Sequence, residues 1–152
     1  MLDLEQELGS IIDALSAEEI EYALCGGLAM AVHGAPRATI DIDLLVREEE
    51  VERIRVVVGH LGFTFRAFPM TFAGGNIRIE RVSKIDPGDG ETLILDLLLV
   101  TPELEAAWRG REIRPWRGGF LTVVSRTGLI QLKTYRSSTQ DRADIERLET
   151  LE

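Results

Sequence analysis

The sequence predicts one α+β domain over residues 1–152, with the last helices (126–152) packed on the rest. Three observations point there. Apolar residues recur at helical spacing near both ends: Leu4, Leu8, Ile11, Ile12 and Leu15 early, Leu129, Ile130 and Leu132 with Ile145 and Leu148 late. Between them lie runs of strand length rich in isoleucine, leucine and valine, at residues 40–46 and 92–100. Turn signals such as Asp86-Pro-Gly-Asp-Gly90 punctuate the middle, and no internal repeat or low-complexity linker divides the chain.

Taken in order, the first stripe is a helix with one buried side, ended by Ser16-Ala-Glu-Glu19. A short strand over residues 20–24 follows, then a sharp turn at Gly26-Gly27 and a short apolar helix over 28–33, closed by Gly34 and Pro36. Residues 40–46 form a buried strand. A second amphipathic helix covers 48–61, with Val51, Ile54, Val58 and Leu61 inward. The middle is strand-rich: 63–65, 76–85 and 92–100, the last two joined as a hairpin. Thr101-Pro-Glu starts a short helix with proline in its first turn. Residues 113–116 and 120–124 flank Arg117-Gly-Gly as another hairpin. Ser125 or Thr127 caps a helix through Lys133, and a last helix spans 140–151.

A net charge of −9 argues against non-specific duplex binding, which needs a surplus of lysine and arginine, although Arg109, Arg111, Arg114 and Arg117 could form a local basic groove. The lone Cys25 cannot form an internal disulfide. The opening MLDLEQELGS lacks the basic region of a signal peptide, and no apolar run approaches membrane-spanning length. The expected setting is the cytoplasm, with no membrane partner.

Asp41 and Asp43 alternate within the 40–46 strand, so both stand on one face, with Ile40, Ile42 and Leu44 on the other. Two residues of strand rise separate them by about 6–7 Å, within reach of one hard cation or a pair of ions. Two aspartates on a strand also serve simply to solvate an exposed face. A third, Asp96, sits in the most apolar run of the chain, Leu93-Ile-Leu-Asp-Leu-Leu-Leu-Val100, where an unpaired carboxylate is costly. It requires either an arginine or a metal ion. Gly26 and Gly27, between a strand and a helix, let backbone N–H groups approach an anion. His33, Trp108 and Trp116 are expected to pack rather than to react.

Gly26-Gly27, then Asp41-Ile-Asp43, then Asp96 on a separate strand resembles the nucleotidyltransferase superfamily, the polymerase-β-like fold. More narrowly, YALCGGLAMAVHGAPRATIDIDLLV with the tail LIQLKTYRSSTQDRADIERL resembles the nucleotidyltransferase toxins of type IV toxin–antitoxin, or abortive infection, systems. The resemblance implies a mixed central β-sheet with helices packed on it. It implies an enzyme that moves an NMP group from an NTP to a hydroxyl acceptor, a tRNA, a protein or a small molecule. Asp41, Asp43 and Asp96 would hold Mg²⁺ or Mn²⁺ and carry catalysis. Gly26, Gly27, Arg37, Thr39 and Lys133 would bind the nucleotide, with Asp141 and Asp144 orienting Lys133 or Arg37. An antitoxin or second subunit is an implied partner. The alternative is a non-catalytic nucleotidyltransferase-like partner protein of a toxin–antitoxin pair.

Overall fold

The structure, a computed structural model, describes residues 2–151. Its first helix, α1 (Leu4–Ala17), is capped by the Asp3 side chain, which accepts from the Gln6 N–H, and buries the predicted stripe Leu8, Ile11, Ile12 and Leu15. Strand β1 (Ala23–Cys25) leads directly into α2 (Gly26–Val32). The strand is thus shifted towards the glycines, and Gly26 opens the helix instead of preceding it. Strand β2 is Asp41–Val46. Ile40 therefore falls outside the strand and is 80% exposed, a correction to its expected place on the inner face.

A turn of 3-10 helix (Glu48–Glu50) precedes α3 (Val51–Gly59), which ends two residues short of the predicted Leu61. Phe63 is buried, but the strand beside it, β3, is only Phe65–Arg66. A strand absent from the sequence reading, β4 (Met70–Phe72), pairs with β5 (Ile77–Ile85). β5 and β6 (Thr92–Leu99) form the predicted hairpin. Then come α4 (Glu105–Arg109), the hairpin β7 (Glu112–Trp116) and β8 (Gly119–Val123), α5 (Arg126–Arg136) and α6 (Thr139–Glu149).

All eight strands join one mixed sheet, in the order β3-β5-β6-β2-β1-β8-β7 with β4 beside β5. The central β2–β6 pair is parallel, as is β1–β8, and the remaining pairs are antiparallel. Ion pairs identify the face covered by α1 and α3: Lys84 of β5 binds Glu7 of α1 at 2.9 Å, and Glu80 of β5 binds Arg55 of α3 at 2.8 Å. Arg81 and Ser83, between them, point to the opposite face. There α5 lays Leu129 and Leu132 against Cys25 and Leu98. Ile42, Leu44, Leu95 and Leu97 are fully buried at the centre, so the apolar halves of β2 and β6 hold the sheet while their aspartates emerge on the α5 side.

Candidate active site

The parallel register sets Asp43 of β2 directly beside Asp96 of β6, and Asp41 beside Ile94. Neighbouring strands lie about 4.8 Å apart, so two carboxylates stand abreast with a third one pleat away. Continuing across the sheet, Arg81 lies opposite Asp96 and Cys25 opposite Asp43. One row therefore reads Arg81, Asp96, Asp43, Cys25.

The three carboxylates differ in their partners. Arg81 donates from Nε to Asp96 Oδ1 at 2.7 Å and from Nη2 to Oδ2 at 2.9 Å, a two-point fork that engages both oxygens. Of the two partners the sequence left open for Asp96, arginine is the one present. That fork raises the Arg81 pKa, against the opposing effect of partial burial. Asp43 is 7% exposed and, among the described residues, receives no hydrogen bond. Burial, then the charge of Asp96, pushes its pKa up to about 7. Asp41 is half-buried and its pKa also rises, for the same two reasons in the same order. Among the described residues no three His, Cys, Asp or Glu side chains form a ready-made metal cluster.

Gly26 faces this row. Its φ of +68° disfavours any side chain, and a Cβ there would stand 2.7 Å from Asp43 Cγ. At Gly27 a Cβ would lie 2.7 Å from Thr39 Cβ and Oγ1 and 3.1 Å from Arg37 Nη1. Both glycines are thus required by the close approach of α2 to the strand carrying the aspartates and to the loop before it.

The far wall is cationic and comes from the tail. Arg37 donates from Nε and Nη2 to the Asp144 carboxylate at 2.8 Å each, and Lys133 Nζ binds Asp144 Oδ2 at 2.8 Å. Gln140 Nε2 adds a further bond to Asp144 at 2.8 Å. Burial opposes the charge of Asp144, but these donors outweigh it and hold its pKa down to about 2. Asp141 forms a capping box with Ser138 at the start of α6 and stands 3.8 Å from Lys133. Lys133 is only 4% exposed, because Asp144 draws it inward.

These walls enclose a cleft of about 340 Å³, lined by Gly26, Gly27, Arg37, Thr39, Asp41, Asp43, Asp96, Lys133 and Asp141. Of the ten predicted residues only Asp144 does not line it; it lies behind Arg37 and Lys133. Two further lining residues, Arg81 and Arg136, escaped the sequence reading. Arg136 follows Lys133 by one helical turn, and no hydrogen bond or ion pair engages it among the described residues. Its charge bears on Asp43 and Asp41.

The other candidates lie elsewhere. His33 Nε2 donates to the Val124 carbonyl at 2.8 Å, a packing role. Trp108 is buried, with the Arg111 guanidinium 4.0 Å from its ring centroid. Of the arginine cluster, Arg111, Arg114 and Arg117 pair with Glu21, Glu112 and Glu5, and Arg109 and Arg111 line a separate cleft together with Glu19 and Glu21.

A mixed sheet whose central parallel strands carry aspartates towards a glycine turn is the nucleotidyltransferase fold. The lincomycin-bound lincosamide antibiotic adenylyltransferase LnuA shares it at 12% identity, over 97% of this chain and 98% of LnuA, with a TM-score of 0.65. So does ANT(2″)-Ia, an antibiotic-resistance factor, at 16% identity over 98% of this chain and 85% of its own, TM-score 0.66. A candidate nucleotidyltransferase of Thermotoga maritima covers 99% of this chain and 92% of its own at 20% identity, TM-score 0.58. No curated protein matches the chain in sequence. The chain belongs to the nucleotidyl transferase AbiEii toxin family of type IV toxin–antitoxin systems, which it matches over residues 10–107. Family membership makes it a nucleotidyltransferase, as the sequence predicted. No helix among the described residues is long and apolar enough to cross a membrane.

Proposed function

We propose that this chain transfers a nucleoside monophosphate from a nucleoside triphosphate to a hydroxyl acceptor, with Mg²⁺ or Mn²⁺ in the cleft. The observation that supports this most is Asp43. It is a buried carboxylate that no cation pairs with among the described residues, and its neighbours Asp41 and Asp96 are also acidic. Oxygen donors of this kind fit a hard divalent cation, which would relieve the electrostatic cost. When bound, such an ion supplies neutralising charge to the triphosphate and to the oxygens that gain charge in transfer.

The protein groups have separate tasks. Gly26 and Gly27, bare of Cβ, let the phosphates come against backbone N–H groups. Arg136, which pairs with no carboxylate among the described residues, is available to the phosphates, while Arg37 and Lys133 add positive potential from positions fixed by Asp144. Thr39 offers a hydroxyl beside Gly27. The acceptor oxygen bonds to the α-phosphorus as the α–β bridging bond breaks and pyrophosphate leaves. Asp96 would take the hydroxyl proton once its oxygens are released from Arg81.

The fold neighbours LnuA and ANT(2″)-Ia were solved with lincomycin and with adenylyl-2″-tobramycin, which brings a small hydroxylated molecule into consideration beside a protein or a tRNA. A net charge of −9 and the paired arginines count against a large RNA. Family membership supports an antitoxin as protein partner, and a nucleotide substrate supports a cytoplasmic setting. Calorimetric titration of the folded protein with each NTP and Mg²⁺ tests the reading; absence of binding to every nucleotide would sink it. Labelled NTP, Mg²⁺ and cell extract, run with Asp43→Asn as the inactive control, would identify the acceptor.

A further inference from the structure

Arg81 stands where the fold offers a choice of cations. Its guanidinium engages both oxygens of Asp96, which is 2% exposed, so in this state that carboxylate has little capacity for another positive ligand. Asp41 and Asp43, one pleat and one strand away, receive no hydrogen bond among the described residues. The two halves of the acidic row are therefore unequal: one has its cation built in and the other has none. The Arg81 side chain is 31% exposed and lines the cleft, so it has room to swing on its stem towards an anion there.

We propose that Arg81 is a resident counter-cation that keeps Asp96 in reserve until a polyphosphate enters the cleft. Without nucleotide, the protein takes up one divalent ion, through Asp41 and Asp43. The arriving polyphosphate offers the guanidinium a second planar oxygen pair, and transfer of Arg81 to it frees Asp96 for a second ion. Arg81 is in this scheme a positioning residue that makes completion of the site depend on the substrate. The proposal rests on the divalent-ion reading above.

Counting bound Mn²⁺ by electron paramagnetic resonance tests it without reference to turnover. Wild type should bind one Mn²⁺ per chain alone and two with a non-hydrolysable NTP analogue. Arg81→Gln should bind two without nucleotide, the second about ten- to a hundredfold more tightly than wild type does, since hydrogen bonds to charged groups are worth that much. Two Mn²⁺ of similar affinity in nucleotide-free wild type, or an unchanged count in Arg81→Gln, would overturn the proposal while leaving the divalent-ion reading intact. No Mn²⁺ bound under any condition would overturn both. Should Arg81→Gln fail to fold, the wild-type protein decides: the ¹⁵N resonance of Arg81 Nε should keep its position when Mg²⁺ is added alone and move when Mg²⁺ and the analogue are added together. Movement with Mg²⁺ alone, or none with both, counts against the proposal.

Discussion

Replacing Asp144 by asparagine removes the carboxylate that holds both cations of the cleft wall, Arg37 and Lys133. Asp144 is fully buried and accepts from Arg37, Lys133 and Gln140. The fall of its pKa from 3.8 to about 2 corresponds to roughly 2–3 kcal/mol of folding stability. Because the folded-state pKa is the lower one, this stability is present above about pH 4 and disappears as pH falls towards 2. The variant also strands Lys133, which is 4% exposed and whose next carboxylate, Asp141, is 3.8 Å away. Breaking a buried pair from one side costs about 3–5 kcal/mol, and asparagine keeps part of the hydrogen bonding, so about 3 kcal/mol is expected. Urea unfolding at pH 7 and pH 3 measures it. The gap between variant and wild type should shrink by about a third at the lower pH, which lies between the two pKa values. Adding Lys133→Met to the variant should recover about 1 kcal/mol or more, because the buried ammonium that lost its closest carboxylate is then gone. A loss under about 1 kcal/mol at pH 7, or a loss independent of pH, would refute the reasoning.

Asp43→Asn should stabilise the metal-free protein at pH 8. Its folded-state pKa of about 7 lies above the ordinary 3.8, so the associated stability is full below pH 4 and is lost as pH rises through 7. A thermal melt should show a gain of several degrees at pH 8, a smaller gain at pH 5 and little change at pH 4; equal melting at pH 8 would argue against a buried, uncompensated charge. Gly26→Ala places a Cβ against Asp43 at positive φ, and should cost about 1–3 kcal/mol in chemical unfolding as well as nucleotide affinity in calorimetry.

Much of this was legible from the residues. The alternation of Asp41 and Asp43 fixed their common face, and the apolar run around Asp96 announced a buried carboxylate in need of a cation. The partner itself was also within reach. Pairs across the β5–β6 hairpin keep step from Ile85 with Thr92 back to Arg81 with Asp96, so counting from the turn would have found Arg81. Arg136 was less visible, since a charged residue one turn from Lys133 reads as surface until α5 is laid on the sheet. The burial of Lys133 was not readable at all. It depends on Asp144 of α6 meeting Arg37 from a loop 107 residues earlier, a contact made by tertiary packing alone. Strand ends moved by up to three residues, as at β1, because ladder pairing and not residue preference decides where a strand stops.

The anchoring of Arg37 and Lys133 on α6 has a consequence for how the protein is made. Strands β2 and β6 leave the ribosome before α5 and α6, so the three carboxylates can assemble while only Arg81 and an untethered Arg37 offset them. A nascent chain at that stage carries an acidic notch that repels phosphates. On the proposed reading, competence to hold a nucleotide would arrive only with synthesis and docking of the segment that contains Asp144.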